Sequence, residues 1–237
     1  MNEPTYFPQV EDLHAEIADR FCELAKQCVA GQGIFRVSLS GGSTPKRLYE
    51  ILATRDLPWT SMHFYWGDER NVPADHDESN QKMVREAMLT PANVPESNIH
   101  PVPVNVDDPA SAASAYEATL REHFANDEFP AWDLALLGMG DDAHTASLFP
   151  GTEATKASLA GNEERWFVEN HVEKFSGYRY TMTAPAINSA KQRWFLVSGE
   201  NKREALAKVW ADEGDALEAP SRLVIGAQWM VTENARP

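Results

Sequence analysis

A chain of 237 residues that is 43% hydrophobic and 10% aromatic can bury a substantial core, and none of its apolar runs approaches the roughly 18 residues of a membrane span. Its formal net charge of -15, with no Lys/Arg-rich block to offset it locally, argues against nucleic acid and against acidic membrane surfaces as partners. The start Met-Asn-Glu-Pro-Thr-Tyr-Phe-Pro has neither a basic segment nor an apolar signal core, so a cytoplasmic protein is expected, as a single domain over 1–237 and as a monomer or small homo-oligomer.

Residues 9–30 predict an amphipathic helix, with Val10, Leu13, Ile17, Phe21, Leu24, Ala25 and Val29 near helical spacing and Gly31 and Gly33 to end it. Cys22 and Cys28 fall on different faces of it, which argues against a mutual disulfide. A strand follows at 34–39, then a Gly-rich turn, a helix over 45–52, a strand over 62–66 and a helix over 79–89. The stretch 91–109 carries five prolines and reads as an extended connection before a helix over 110–124 and a strand over 132–137. Beyond it the pattern predicts strands at 165–172, 178–183, 193–197 and 222–225, with helices at 185–191 and 201–210. Alternating strands and helices point to an α/β fold, a Rossmann-like three-layer α/β/α arrangement around a mostly parallel sheet.

Two strand-to-helix turns carry the chemistry. In Ser40-Gly41-Gly42-Ser43-Thr44-Pro45 two glycines let the backbone close on a ligand, Thr44 can cap the helix and Pro45 suits its first position, which makes an anion site of the exposed N–H groups. The loop lacks the G-K-[ST] ending of a Walker A motif. Ser38-Leu-Ser40-Gly-Gly42 approaches a nucleophile elbow, but one glycine of that motif is absent. The second turn follows the apolar run 133–137 and holds Asp141, Asp142 and His144. Gly138-Met-Gly140-Asp-Asp-Ala143 also fits the dinucleotide pattern, yet Pro150-Gly151 interrupts the segment after about two turns, where a cofactor helix would continue. The seven histidines show no metal-binding spacing, so neither a metal nor another cofactor is expected.

Taken in order, Ser40 to Pro45, Trp66-Gly-Asp-Glu-Arg70, Ser79-Asn80, Gly138 to Pro150, Arg179-Tyr-Thr-Met-Thr-Ala-Pro185 and Gly199-Glu-Asn-Lys202 resemble the 6-phosphogluconolactonases over most of the chain. The resemblance implies the Rossmann-like fold shared with the glucosamine-6-phosphate deaminases. It also implies hydrolysis of 6-phosphoglucono-δ-lactone to 6-phosphogluconate. On it, His144 is the general base for an attacking water, Asp142 orients it, Arg70 stabilises the oxyanion and Asp68 binds a sugar hydroxyl or holds Arg70. Ser40 to Thr44, Arg179 and Lys202 then surround the substrate phosphate. The family usually has Asp-Gly-His where this chain has Asp142-Ala143-His144, so positive φ at Ala143 would carry strain. Two alternatives stand beside this reading. Deaminases carry Asn-Glu-Pro where this chain has Leu148-Phe149-Pro150, which removes their acidic ring-opening partner. A non-catalytic sugar-phosphate sensor on the same fold would need a module to pass its signal on, and no helix-turn-helix pattern or basic surface is visible.

Overall fold

The computed structural model describes residues 2–125, 127–161 and 164–237. In chain order the larger elements are β1 (Thr5–Phe7), α1 (Val10–Gln32), β2 (Phe35–Leu39), α2 (Ser43–Leu52), β3 (Met62–Trp66), β4 (Asp68–Arg70) and α3 (Asn80–Val84), which runs into a π-helical turn Arg85–Leu89. They continue with β5 (Ile99–His100), α4 (Pro109–His123), β6 (Leu134–Leu137), α5 (Glu153–Ala160), β7 (Phe167–Val172), β8 (Gly177–Met182), α6 (Ala184–Asn188), β9 (Gln192–Val197), α7 (Arg203–Trp210) and β10 (Gln228–Thr232).

Seven strands form one sheet in the order β1-β10-β9-β6-β2-β3-β5, and every pairing in it is parallel. A parallel sheet is stable only when both faces are covered, and the residues of β6 are buried throughout, as are Trp194 to Val197 of β9. The helices supply that cover. α1 buries Leu13, Ile17, Phe21 and Ala25 at intervals of four, sets Phe21 edge-on to Phe35 of β2, and stops at Gly33 with φ 81. The buried carboxylate of Asp133 accepts from Arg36 N at 2.8 Å and pairs with Lys191 at 2.8 Å, which locks the register of β6 on β2. From β2 the chain builds outward to β3 and β5, and from β6 it builds the other way to β9 and β10. The crevice at the carboxyl ends of β2 and β6 is therefore the topological switch point, where open α/β sheets bind their ligands.

The later strands do not all join that sheet. β7 and β8, expected as part of the parallel alternation, form an antiparallel hairpin and pair with β4 as a separate sheet in the order β4-β8-β7. The reason is the connection: only the short turn 173–176 joins them, and a parallel pair needs a crossover of a dozen residues or more. Gly67 links the two sheets, since its N–H donates to Leu39 O and its carbonyl accepts from Met182 N. A Cβ there would come within 3.0 Å of Ser38 Oγ. The chain thus leaves β3 and lays Asp68–Arg70 beside the crevice.

Three further expectations are corrected. The strand at 222–225 is a 3-10 turn, Pro220–Leu223, because Arg222 turns back to donate to the carbonyls of Val209 and Ala211 at the end of α7. The last strand is β10, six residues later. α2 begins at Ser43 with Gly42 at its N-cap, so Thr44 is inside the helix and does not cap it. The extended stretch 91–109 contains the short strand β5, and α5, β1 and β4 lie where no element was expected.

Candidate active site

The turn after β6 folds back on itself so tightly that its side chains converge. Gly140 N donates to His144 O at 2.9 Å and Ala143 N donates to Gly140 O at 3.2 Å. Closing this turn forces Ala143 to φ 64, the left-handed region that costs an alanine about 1 kcal/mol. The strain anticipated from the missing glycine is therefore present. The buried Ser221 opposes it by donating to Ala143 O from both its backbone N–H, at 3.0 Å, and its hydroxyl, at 2.8 Å.

The result is an Asp–His pair two residues apart. His144 Nδ1 lies 2.5 Å from Asp142 Oδ1, and the His144 N–H also donates to that oxygen at 3.3 Å. Burial pushes the Asp142 carboxyl up, but the bonds and charge of His144 and the ammonium of Lys174 outweigh it and hold the group well below the usual carboxylate range. An ionised carboxylate only accepts, so Nδ1 carries the hydrogen, and in the neutral ring Nε2 is the nitrogen with the free lone pair. Phe149 lies 4.1 Å from the His144 ring and covers it. Gly140 leaves the room: a Cβ there would stand 2.0 Å from His144 Nδ1. In the sequence Gly140 reads as part of a turn with no role of its own, since nothing in the motif says which ring it faces.

His144 opens into a cleft of about 280 Å³ lined by Ser40, Gly41, Gly42, Asp68, Arg70, Gly140, Ala146 and Lys202, among others. Asp68, Arg70, His144 and Ala146 also line an adjoining lobe of about 260 Å³ with Phe149 and Arg179. Ser40, Gly41, Gly42 and Lys202 thus line one lobe with Arg70, and Arg179 lines the adjoining lobe with it. Asp142 stands behind His144. Ser43 and Thr44 line neither lobe; Thr44 Oγ1 instead bonds Ser198 Oγ at 2.7 Å, which ties α2 to the end of β9. Gly42 needs its glycine, with φ 105 at the N-cap of α2, and Gly41 does too, because a Cβ would stand 1.9 Å from Asn80 Oδ1. The hydroxyl of Ser40 is buried with no hydrogen-bond partner among the described residues, so no base is bonded to it.

The acidic strand β4 is held from below. Asp68 is buried and accepts from Ser147 Oγ at 3.0 Å, while Asn80 Nδ2 donates to the Asp68 carbonyl at 3.0 Å. Asn80 and Ser147 had no assigned role in the sequence; their contacts to Asp68 span 12 and 79 residues. Glu69 points the other way, 1% exposed, and its carboxylate gathers the N–H groups of Arg70, Asn80 and Gln81 at 2.7–2.8 Å, which clamps the start of α3 to β4. Arg70 donates to the carbonyl of Glu78. Directly across the ladder from Arg70 is Arg179, so two guanidinium groups share one face, an arrangement that is unfavourable unless an anion lies between or beside them. Burial, and next the charge of Arg70, lowers the affinity of Arg179 for its proton, and burial does the same for Lys202. Among the described residues none of Arg70, Arg179 and Lys202 is within salt-bridge distance of a carboxylate. In a chain with 36 acidic residues, three such cations around one cleft are a preformed demand for an anionic ligand.

Comparison with known proteins agrees in sequence and in shape. Residues 8–232 match the family of glucosamine-6-phosphate isomerases and 6-phosphogluconolactonases. A 6-phosphogluconolactonase of Nostoc sp. is 45% identical over 223 residues, covering 92% of this chain and 88% of the relative. One from Synechocystis sp. is 45% identical over 200 residues, covering 84% and 80%. The crystal structure of the 6-phosphogluconolactonase from Thermotoga maritima superposes with a TM-score of 0.80 at 28% identity and covers 98% of both chains. This chain belongs to the glucosamine-6-phosphate isomerase/6-phosphogluconolactonase family.

Proposed function

We propose that this chain is a cytoplasmic enzyme that hydrolyses 6-phosphoglucono-δ-lactone to 6-phosphogluconate in the oxidative pentose phosphate pathway. Its relatives carry that activity in their names. The observation that supports the reading within the molecule is the convergence of an Asp-oriented histidine and three carboxylate-free cations on one cleft. A lactone is an activated ester, so its hydrolysis needs a positioned water, a base and a donor for the developing oxyanion.

In this scheme His144 Nε2 takes a proton from water as the oxygen attacks the lactone carbonyl. Arg70, which borders both lobes, meets the charge that develops on the carbonyl oxygen. Collapse of the tetrahedral intermediate breaks the bond to the ring oxygen, and the imidazolium returns its proton to that leaving oxygen. Asp68, fixed by Ser147 and Asn80, accepts from a sugar hydroxyl. The phosphate is held by Lys202 and the N–H groups at Gly41 and Gly42, where α2 presents its positive end, and by Arg179 reaching from beside Arg70. No metal or organic cofactor enters the scheme. Phe149 occupies the place of the deaminases' glutamate and packs on His144, so it offers no acid for ring opening.

The test is a lactonase assay on freshly generated 6-phosphogluconolactone, corrected for spontaneous hydrolysis, run in parallel on unphosphorylated glucono-δ-lactone. Arg179→Ala and Lys202→Ala should each lower kcat/KM on the phosphorylated lactone by roughly one to two orders of magnitude, the loss of one charge-assisted contact of about 1.5 to 3 kcal/mol, and barely touch the other substrate. Equal losses on both lactones would remove the phosphate assignment, and ammonia release from glucosamine 6-phosphate at a comparable rate would replace hydrolysis by deamination.

A further inference from the structure

The turn that joins β7 to β8 reaches the back of the Asp142–His144 pair. It is a single 3-10 turn, Glu173–Phe175, closed by Ser176 at φ 47, and two of its consecutive residues touch the catalytic loop. Lys174 Nζ lies 3.1 Å from Asp142 Oδ2 and 3.7 Å from Asp141 Oδ1. Phe175 stands edge-on to Phe149 at 5.5 Å, and Phe149 covers His144. Arg179, four residues on, lies with its guanidinium 4.7 Å from the Phe175 ring centre. One hairpin therefore contacts the acid of the pair, the ring that backs the imidazole and a candidate phosphate ligand.

The two oxygens of Asp142 are divided between two partners. Oδ1 takes the ring and the backbone of His144, and Oδ2 takes Lys174. A carboxylate held through one oxygen alone can rotate about its last bond, and the imidazole it orients would rotate with it. Held through both, it has one orientation. Lys174 and Asp142 together line two solvent-open hollows, one of about 640 Å³ towards His171 and Lys156 and one of about 500 Å³ towards Glu200 and Glu204. The lysine is 54% exposed, and an ion pair at such exposure contributes little to folding. Its place in the molecule is better explained by what it does to Asp142.

We propose that Lys174 is a positioning residue for the hydrolysis: acting through Asp142, it fixes the carboxylate so that His144 presents Nε2 to the attacking water. The proposal rests on the reading of His144 as the base. The imidazole loses its fixed aim when Lys174 is removed, which lowers turnover rather than substrate affinity. The other charges facing the pair stay in place in such a variant: Asp141 from the same loop, Lys202 from the turn after β9, Asp68 and Arg70 from β4, and Arg179 from β8.

Lys174→Met should lower kcat about 10-fold with KM changed less than about twofold. Lys174→Arg should restore most of the turnover, because a guanidinium also bonds Oδ2. In an Asp142→Asn background Lys174→Met should have no further effect on kcat, as expected of two residues acting in one line. Wild-type kcat in Lys174→Met overturns the proposal, and so does a rise in KM alone, which would make the lysine a substrate contact. His144→Ala, assayed alongside, separates the two levels: if it keeps activity, the base assignment fails, whereas if it is inactive and Lys174→Met is normal, only the role of Lys174 fails.

Discussion

Two sets of histidines in this fold can be compared, and what surrounds each decides what it can do. His144 is paired with a carboxylate at the mouth of the sheet, covered on one side by Phe149 and open to a cleft on the other. His63, His100 and His123 cluster at the far edge, where β3 pairs with β5. His63 Nδ1 and His100 Nε2 lie 3.0 Å apart, His100 stacks on Tyr65 at 4.5 Å, and His123 Nδ1 bonds the Tyr65 hydroxyl at 3.1 Å. None of these three makes a salt bridge among the described residues. Burial lowers all three from the ordinary histidine value, helped by the charges of Arg36 and of one another, and His100 falls to about 4; only His123 feels an opposing carboxylate, Glu122. The same side chain thus bonds a carboxylate at an open cleft in one place and packs as an aromatic ring beside a tyrosine in the other.

The largest effect should come from exchanging the two kinds. His144→Gln should lower kcat at least about 100-fold, as loss of a general base does, while His100→Gln should leave it within about twofold. Steady-state assays on the phosphorylated lactone check both, and comparable losses would erase the distinction. Next comes Gly140→Ala, which leaves every ionisable group in place and drives a methyl into the His144 ring. The ring must move by about an ångström or more, and displacement of that size in a catalytic group costs on the order of 100-fold, so activity should collapse while circular dichroism stays native. A fully active Gly140→Ala enzyme would mean that the position of the imidazole is not what the cleft requires.

A smaller effect belongs to the histidine cluster and is read in stability. Because its folded values lie below the ordinary 6.5, the unfolded chain binds more protons than the folded one between that value and about 4. The contribution is complete above pH 6.5 and is lost as pH falls towards 4. Urea unfolding midpoints should therefore drop between pH 7 and pH 4.5, and drop less in His100→Phe, which keeps the stacking on Tyr65 without a group to protonate. Asp142 adds stability that is present above the ordinary carboxylate value of 3.8 and is lost below it as pH falls, since its folded carboxyl is held down. An identical pH dependence in wild type and His100→Phe would deny the cluster that role. The smallest effect is expected of Ala143→Gly. It releases left-handed strain of about 1 kcal/mol and gives up a buried methyl of about 0.8 kcal/mol, so the melting temperature should move by no more than about 2 °C. A large gain would show that the turn stores more strain than its φ suggests.

Much of the fold was legible because it rests on local chemistry. The apolar run that became β6, the helix ended by Gly33 and the strand over 62–66 all follow from periodicity and punctuation that neighbouring residues carry themselves. The candidate residues of the cleft were legible for a related reason, since Gly41, Gly42, Arg70 and His144 sit just past strand ends, which in a parallel sheet share one edge. What the sequence left open depends on contacts far apart in the chain. β7 and β8 have strand propensity, but whether they extend the main sheet or clasp β4 is decided by pairing across about 110 residues. Asn80, Ser147 and Lys174 are ordinary surface-type residues in a linear reading, and they acquire meaning only where the folded chain sets them against Asp68 and Asp142. The sequence by itself determined which residue types stand at the strand ends and how strained the turn at Ala143 would be if it closed. Tertiary structure alone decided which charges meet, because hydrogen bonds and ion pairs act over about 3 to 4 Å, and only packing brings residues so distant in sequence that close.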